Sequence, residues 1–134
     1  MKLKFRTQLF TEFLVFFVLT ILFFRILVGI IGDTSLILFG HEIHHFYMGV
    51  FFVLFSGYRQ FFSENKIIDK INMRIFAVGT GMIVDESIFM IATAGQHLDY
   101  FSMRSLFGAI LVSLIILSAF YLISQKGALK PSET

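Results

Sequence analysis

Four apolar runs, roughly Leu9 to Ile31, Ile43 to Phe62, Ile75 to Ala94 and Leu106 to Ile123, take up most of this chain and limit what it can fold into. Each is about 18 to 25 residues long, enough to cross ~30 Å of hydrocarbon at ~1.5 Å per residue. The connections between them are short, which makes consecutive helices antiparallel neighbours and leaves no room for a soluble domain. The pattern predicts an all-α, membrane-spanning, up-down-up-down four-helix bundle over residues 1–126, with residues 127–134 as a disordered cytoplasmic tail. Composition agrees with a bilayer as solvent. The chain is 57% hydrophobic, and its mean hydropathy is +0.83; both lie outside the range of water-soluble domains. A single proline, close to the C-terminus, leaves the apolar helices uninterrupted.

Orientation follows from the basic residues, since positive flanks are retained on the cytoplasmic side. Lys2, Lys4 and Arg6 precede the first run, Arg59, Lys66, Lys70 and Arg74 join the second to the third, and Lys126 and Lys130 follow the fourth. Nine of the eleven Lys and Arg residues therefore fall on one side, and only Arg25 and Arg104 on the other. The expectation is a multi-pass protein of the cell membrane with both termini cytoplasmic. The basic start resembles a signal peptide's, but the apolar run is too long for one and no small-residue cleavage site follows. Without a cysteine, disulfides, thiolate metal sites and cysteine nucleophiles are excluded. A pI near 9.0 does not indicate nucleic acid, because the basic residues sit at helix ends and form no stripe. Membrane lipids are the expected surroundings.

Polar chemistry gathers on the external side. All four histidines, His41, His44, His45 and His97, map there, as do Asp33, Glu42, Asp85, Glu86, Asp99, Arg25 and Arg104. Ionisable groups cost about 2.5 to 3.5 kcal/mol each on insertion scales, so a spanning helix carries them when they meet partners inside the bundle. Asp85 and Glu86, midway along the third apolar run, are the most expensive pair. Counting from Arg59 and Arg74 as inner helix ends at ~1.5 Å per residue, His44 and His45 lie about 21 to 23 Å above the inner boundary and the acidic pair about 17 to 18 Å. That difference permits contact through side chains. Arg25, on the first helix, reaches the same outer half.

Histidine and carboxylate without cysteine is the donor set of Zn, Fe or Mn sites, and facing helices of a bundle are a usual place to build one. His41, His44, His45, Asp85 and Glu86 are the metal-ligand candidates, for a divalent ion serving chemistry on a lipid-like or other apolar substrate. His41-Glu42-Ile43-His44-His45 also satisfies H-E-x-x-H, in which two histidines one helical turn apart bind zinc and the glutamate activates water. Glu42, with Arg25 beside the cavity, is on that reading a catalytic candidate, and the activity a zinc hydrolase or protease. A haem held by His44 or His45 is a variant. From another class comes a proton or cation transporter subunit, working as a homo-oligomer because four helices are few for a monomeric transporter. A cluster that only fixes helix packing is the structural alternative. The glycines and alanines of the third helix, with Gly49 on the second, predict close helix packing, and Glu12 is placed to snorkel or to pair with an inner basic residue.

His44-His45-Phe46 with Gly49, then Gly79-Thr80-Gly81 with Asp85-Glu86, then Asp99-Tyr100 and Arg104-Ser105, resemble a family of small uncharacterised prokaryotic membrane proteins. Its members are similar in a His-His-Phe-x-x-Gly helix followed by a Gly-rich helix ending in Asp-Glu. The likeness covers roughly residues 41 to 110. Members look more often to carry another His in the place of Glu42, so the resemblance implies His44, His45, Asp85 and Glu86 as the shared set, without naming a reaction.

Overall fold

The computed structural model describes residues 2–32, 36–38, 41–62, 65–92 and 100–126, and among them the side chains of residues 2–6, 36–38, 41–43 and a few helix-end positions are outside the description. Four helices carry the fold: α1 (Lys2–Ile31), α2 (His45–Phe62), α3 (Lys66–Ala92) and α4 (Met103–Lys126). Between α1 and α2 lies a short antiparallel hairpin, β1 (Leu36–Leu38) and β2 (His41–Ile43), with Leu36 opposite Ile43 and Leu38 opposite His41. The all-α expectation holds, with this hairpin as an addition. Asp33, His97, Asp99 and the tail from 127 to 134 lie outside the described residues.

Local chemistry explains most helix ends. α1 stops at Gly32, whose φ of 86° is the left-handed conformation that closes a helix, and whose N–H returns to the Val28 carbonyl at 2.9 Å. Asn65 opens α3, its side-chain oxygen accepting from Ile67 N at 2.8 Å, with Asp69 in the first turn favourably placed against the helix dipole. Ser102 opens α4 in the same way, its hydroxyl accepting from Ser105 N at 3.3 Å. α3 starts nine residues before the apolar run expected at Ile75, because its first turns interleave Asp69, Lys70 and Asn72 with isoleucines and so fall outside an apolar run.

α1 and α4 are each long and apolar enough to cross a membrane, over Thr7–Ile31 with mean hydropathy 2.9 and Met103–Ile123 with 2.6. α3 is the central element: α2 and α1 pack on it most extensively, α4 less, and α1 and α2 scarcely meet each other. Missing side chains allow that contact. A Cβ built on Gly49 would stand 2.7 Å from the Gly79 carbonyl oxygen, and one on Gly79 would stand 2.7 Å from that of Gly49, so α2 and α3 touch backbone to backbone. Gly81 does the same for α1, where a Cβ would meet the Thr20 side chain at 3.0 Å. The core beside these crossings is Phe13, Phe17, Ala77 and Val84, with Phe120 of α4 stacked on Phe13 at 4.4 Å between centroids. Exposed faces of α1 and α4, such as Leu22, Ile26, Leu111 and Ile115, are apolar, which is costly in water and free in hydrocarbon.

Candidate functional site

Consecutive residues on an α-helix point about 100° apart, so Asp85 and Glu86 of α3 address the two helices that flank it. Asp85, fully buried, turns to α1: Arg25 Nε donates to its Oδ1 at 2.6 Å. The Tyr100 hydroxyl donates to the other oxygen, Oδ2. Arg25 Nη1 donates to the Tyr100 carbonyl at 2.7 Å and Nη2 to the Ser105 hydroxyl at 3.2 Å, and the guanidinium lies 4.4 Å from the centre of the Tyr100 ring. Burial, and then the adjacent Asp85 charge, push the Tyr100 phenol above its ordinary pKa. It therefore stays a hydroxyl and a donor.

Glu86 turns to α2. One oxygen accepts from the Phe46 backbone N–H at 2.8 Å, one of the orphan donors at the start of α2. A carboxylate from a neighbouring helix thus caps α2, where the dipole favours negative charge. The same Glu86 meets His44 Nδ1 at 2.8 Å and His45 Nδ1 at 3.0 Å. His45 lies between the two acids: its Nε2 is 3.6 Å from Asp85 Oδ2, beyond hydrogen-bond length, and is the one buried side-chain nitrogen or oxygen among the described residues without a hydrogen-bond partner. Phe24 of α1 stacks on the imidazole at 4.4 Å with an interplanar angle of 13°. His45 itself is buried, whereas the His44 side chain is 36% exposed.

The cluster thus brings together Arg25, His44, His45, Asp85 and Glu86, as depth counting anticipated. The structure corrects the position of His41 and Glu42. They lie on β2, and α2 begins at His45, so His41 and His45 do not share a helical face and H-E-x-x-H is not a helical motif here. The physical cause is the cap: α2 starts where Glu86 can receive its N–H groups, two residues after the apolar run begins. The side chains of His41 and Glu42 lie outside the described residues. Among the described residues no group of three or more His, Asp or Glu side chains forms a metal-holding set. Tyr100, Ser105 and Phe24 are site members that sequence reasoning did not single out as partners of Asp85, Arg25 and His45. The signal available was the polar stretch Gln96 to Tyr100 with Arg104, which in the sequence stands as a candidate rim of an external site.

A formal charge count defines what the cluster can do. Two carboxylates and one arginine leave a formal deficit of one positive charge, which a proton on either imidazole against Glu86, that of His44 or of His45, would close. Comparison of the chain with protein-family models, with curated proteins and with solved structures found no match in any of the three.

Proposed function

We propose that this chain is a polytopic membrane protein whose four helices all cross the bilayer, up-down-up-down with both termini cytoplasmic, and that it takes up and releases a proton at the buried His45 site as a subunit of a proton-coupled transporter. The order of contacts supports the topology. Arg25 and Glu12 of α1 meet Asp85 and Arg74 of α3 in the same sequence order, while His45 and Gln60 of α2 meet Glu86 and Asn72 of α3 in the reverse order. Parallel α1 and α3 with antiparallel α2 is the up-down pattern.

The observation that carries the functional reading is the imidazole between two carboxylates. His44, half open, hands a proton to Glu86; Glu86 holds His45 Nδ1; and His45 Nε2, without a hydrogen-bond partner, faces Asp85 across 3.6 Å. Histidine is the side chain whose ordinary titration lies nearest neutrality, and an intramembrane ionisable cluster is functional by default. The metal reading is weaker, because both Asp85 oxygens are engaged, one by a guanidinium that would repel a cation. His44, His45, Asp85 and Glu86 are also the set implied by the family resemblance.

Proteoliposomes loaded with a pH-sensitive dye test the proposal. Wild type is expected to carry protons down an imposed gradient, and His45→Gln and Glu86→Gln, each isosteric enough to keep the fold, are expected to abolish the flux. Elemental analysis of the same preparations accompanies it. Flux that survives in both variants, or one equivalent of zinc, iron or manganese in wild type that both variants lose, overturns the proton reading.

A further inference from the structure

The open space beside α3 lies at the other end of the molecule. Because α1 and α2 flank α3 with little packing on each other, a groove remains between them, floored by α3. Its volume is about 570 Å³, and its walls are Phe16 of α1, Phe51 and Phe55 of α2, and Val78 of α3. Among the described residues, Arg74 is the one charged side chain lining it, 43% exposed. A pocket of this size is in the range that buries a drug-sized or lipid-sized chain.

The charges at that end are ordered. Lys70 and Arg74 are spaced four apart on α3, and Val78 of the groove floor follows at the same interval, so the basic ridge runs into the groove. Glu12 engages Arg74 through Nε at 2.7 Å and Nη2 at 2.9 Å, and Lys70 also acts on Glu12. From Arg59 to Arg74 the sequence carries four basic residues against two acidic ones, with Glu12 of α1 as a third carboxylate. Arg74 therefore stands where the apolar groove meets the basic flank, its guanidinium oriented by Glu12 and part of it open.

We infer that this groove is a binding site for one anionic phospholipid, with an acyl chain between Phe16, Phe51 and Phe55 and its phosphate on Arg74 and Lys70. The apolar lining accepts any acyl chain; the basic ridge selects the anionic headgroup. The site is separate from the His45 cluster and does not depend on proton transfer there, only on the helices crossing a bilayer. An electrostatic contribution of about 1 kcal/mol per basic residue near a membrane surface corresponds to on the order of fivefold in affinity for each.

The chain contains no tryptophan, which makes the test direct. Phe55→Trp sets a single fluorophore on the groove wall, and Ile115→Trp sets a control on the exposed face of α4. In bilayers of phosphatidylcholine containing a small fraction of brominated lipid, the groove reporter is expected to be quenched by brominated phosphatidylglycerol several-fold more effectively than by brominated phosphatidylcholine. The α4 reporter is expected to show no preference. Adding Lys70→Gln to Phe55→Trp is expected to cut the preference about fivefold. Identical quenching of the groove reporter by the two lipids, the same preference at the α4 reporter, or a preference unmoved by Lys70→Gln overturns the inference.

Discussion

Two arginine–carboxylate pairs tie α1 to α3: Arg25 with Asp85, and Arg74 with Glu12. The bond lengths are nearly the same, 2.6 Å and 2.7 Å, and the surroundings are not. The first pair is 10% and 0% exposed, the second 43% and 23%. Arg74 and Glu12 form a bidentate contact that is partly open, so each has its surroundings as an alternative partner when the other is removed. Arg25 and Asp85 are enclosed by Tyr100, Ser105 and His45, so removal of either leaves a desolvated charge with nowhere to go. The same chemistry is a fastening at one end of the molecule and a site at the other.

The largest effect expected on that comparison is from Arg25→Leu, which strands Asp85. A loss of about 3 to 5 kcal/mol is expected, read from unfolding in mixed micelles. The double variant Arg25→Met/Asp85→Leu is expected to recover most of that loss, since a buried pair replaced by apolar groups of similar volume is close to neutral. Failure to recover would mean that the pair stabilises outright rather than merely satisfying itself. Tyr100→Phe, which removes one donor from Asp85 and keeps the ring under the guanidinium, is expected to cost about 1 to 3 kcal/mol by the same assay. Glu12→Gln ranks last, with a shift small against all of these. Raising the salt concentration should erode the contribution of the Glu12 pair and leave that of Asp85 unchanged, because screening reaches only exposed charges.

Much of this was legible from residue counting. A fixed rise per residue matches His45 with Asp85 and Glu86 in depth, and puts Arg25 in the same outer half. The pairing of Glu12 with a basic residue at the inner end was readable for the same reason. What periodicity could not supply was the start of α2. The cap of α2 comes from Glu86, forty residues later in the chain, and no local signal at Ile43 announces it. The misplacement of His41 and Glu42 onto that helix follows from this single long-range bond. Tyr100 and Ser105 were hidden for a related reason: their role comes from the turn that leads into α4, which brings Tyr100 under Arg25 and sets Ser105 in the first turn. Close packing of α2 on α3 was announced by Gly49 and Gly79, though not that the two glycines would face each other.

The proton-exchange account stands on the state of one ring. Nitrogen-15 magnetic resonance of histidine-labelled protein in bilayers, with the His45 signals assigned by the His45→Gln variant, reads how many ring nitrogens carry a proton. The account predicts that His45 passes between a singly and a doubly protonated ring within the pH range where the fold persists, and that Glu86→Gln moves this transition. A His45 ring that keeps one protonation state across that whole range, in wild type and in Glu86→Gln alike, would contradict it.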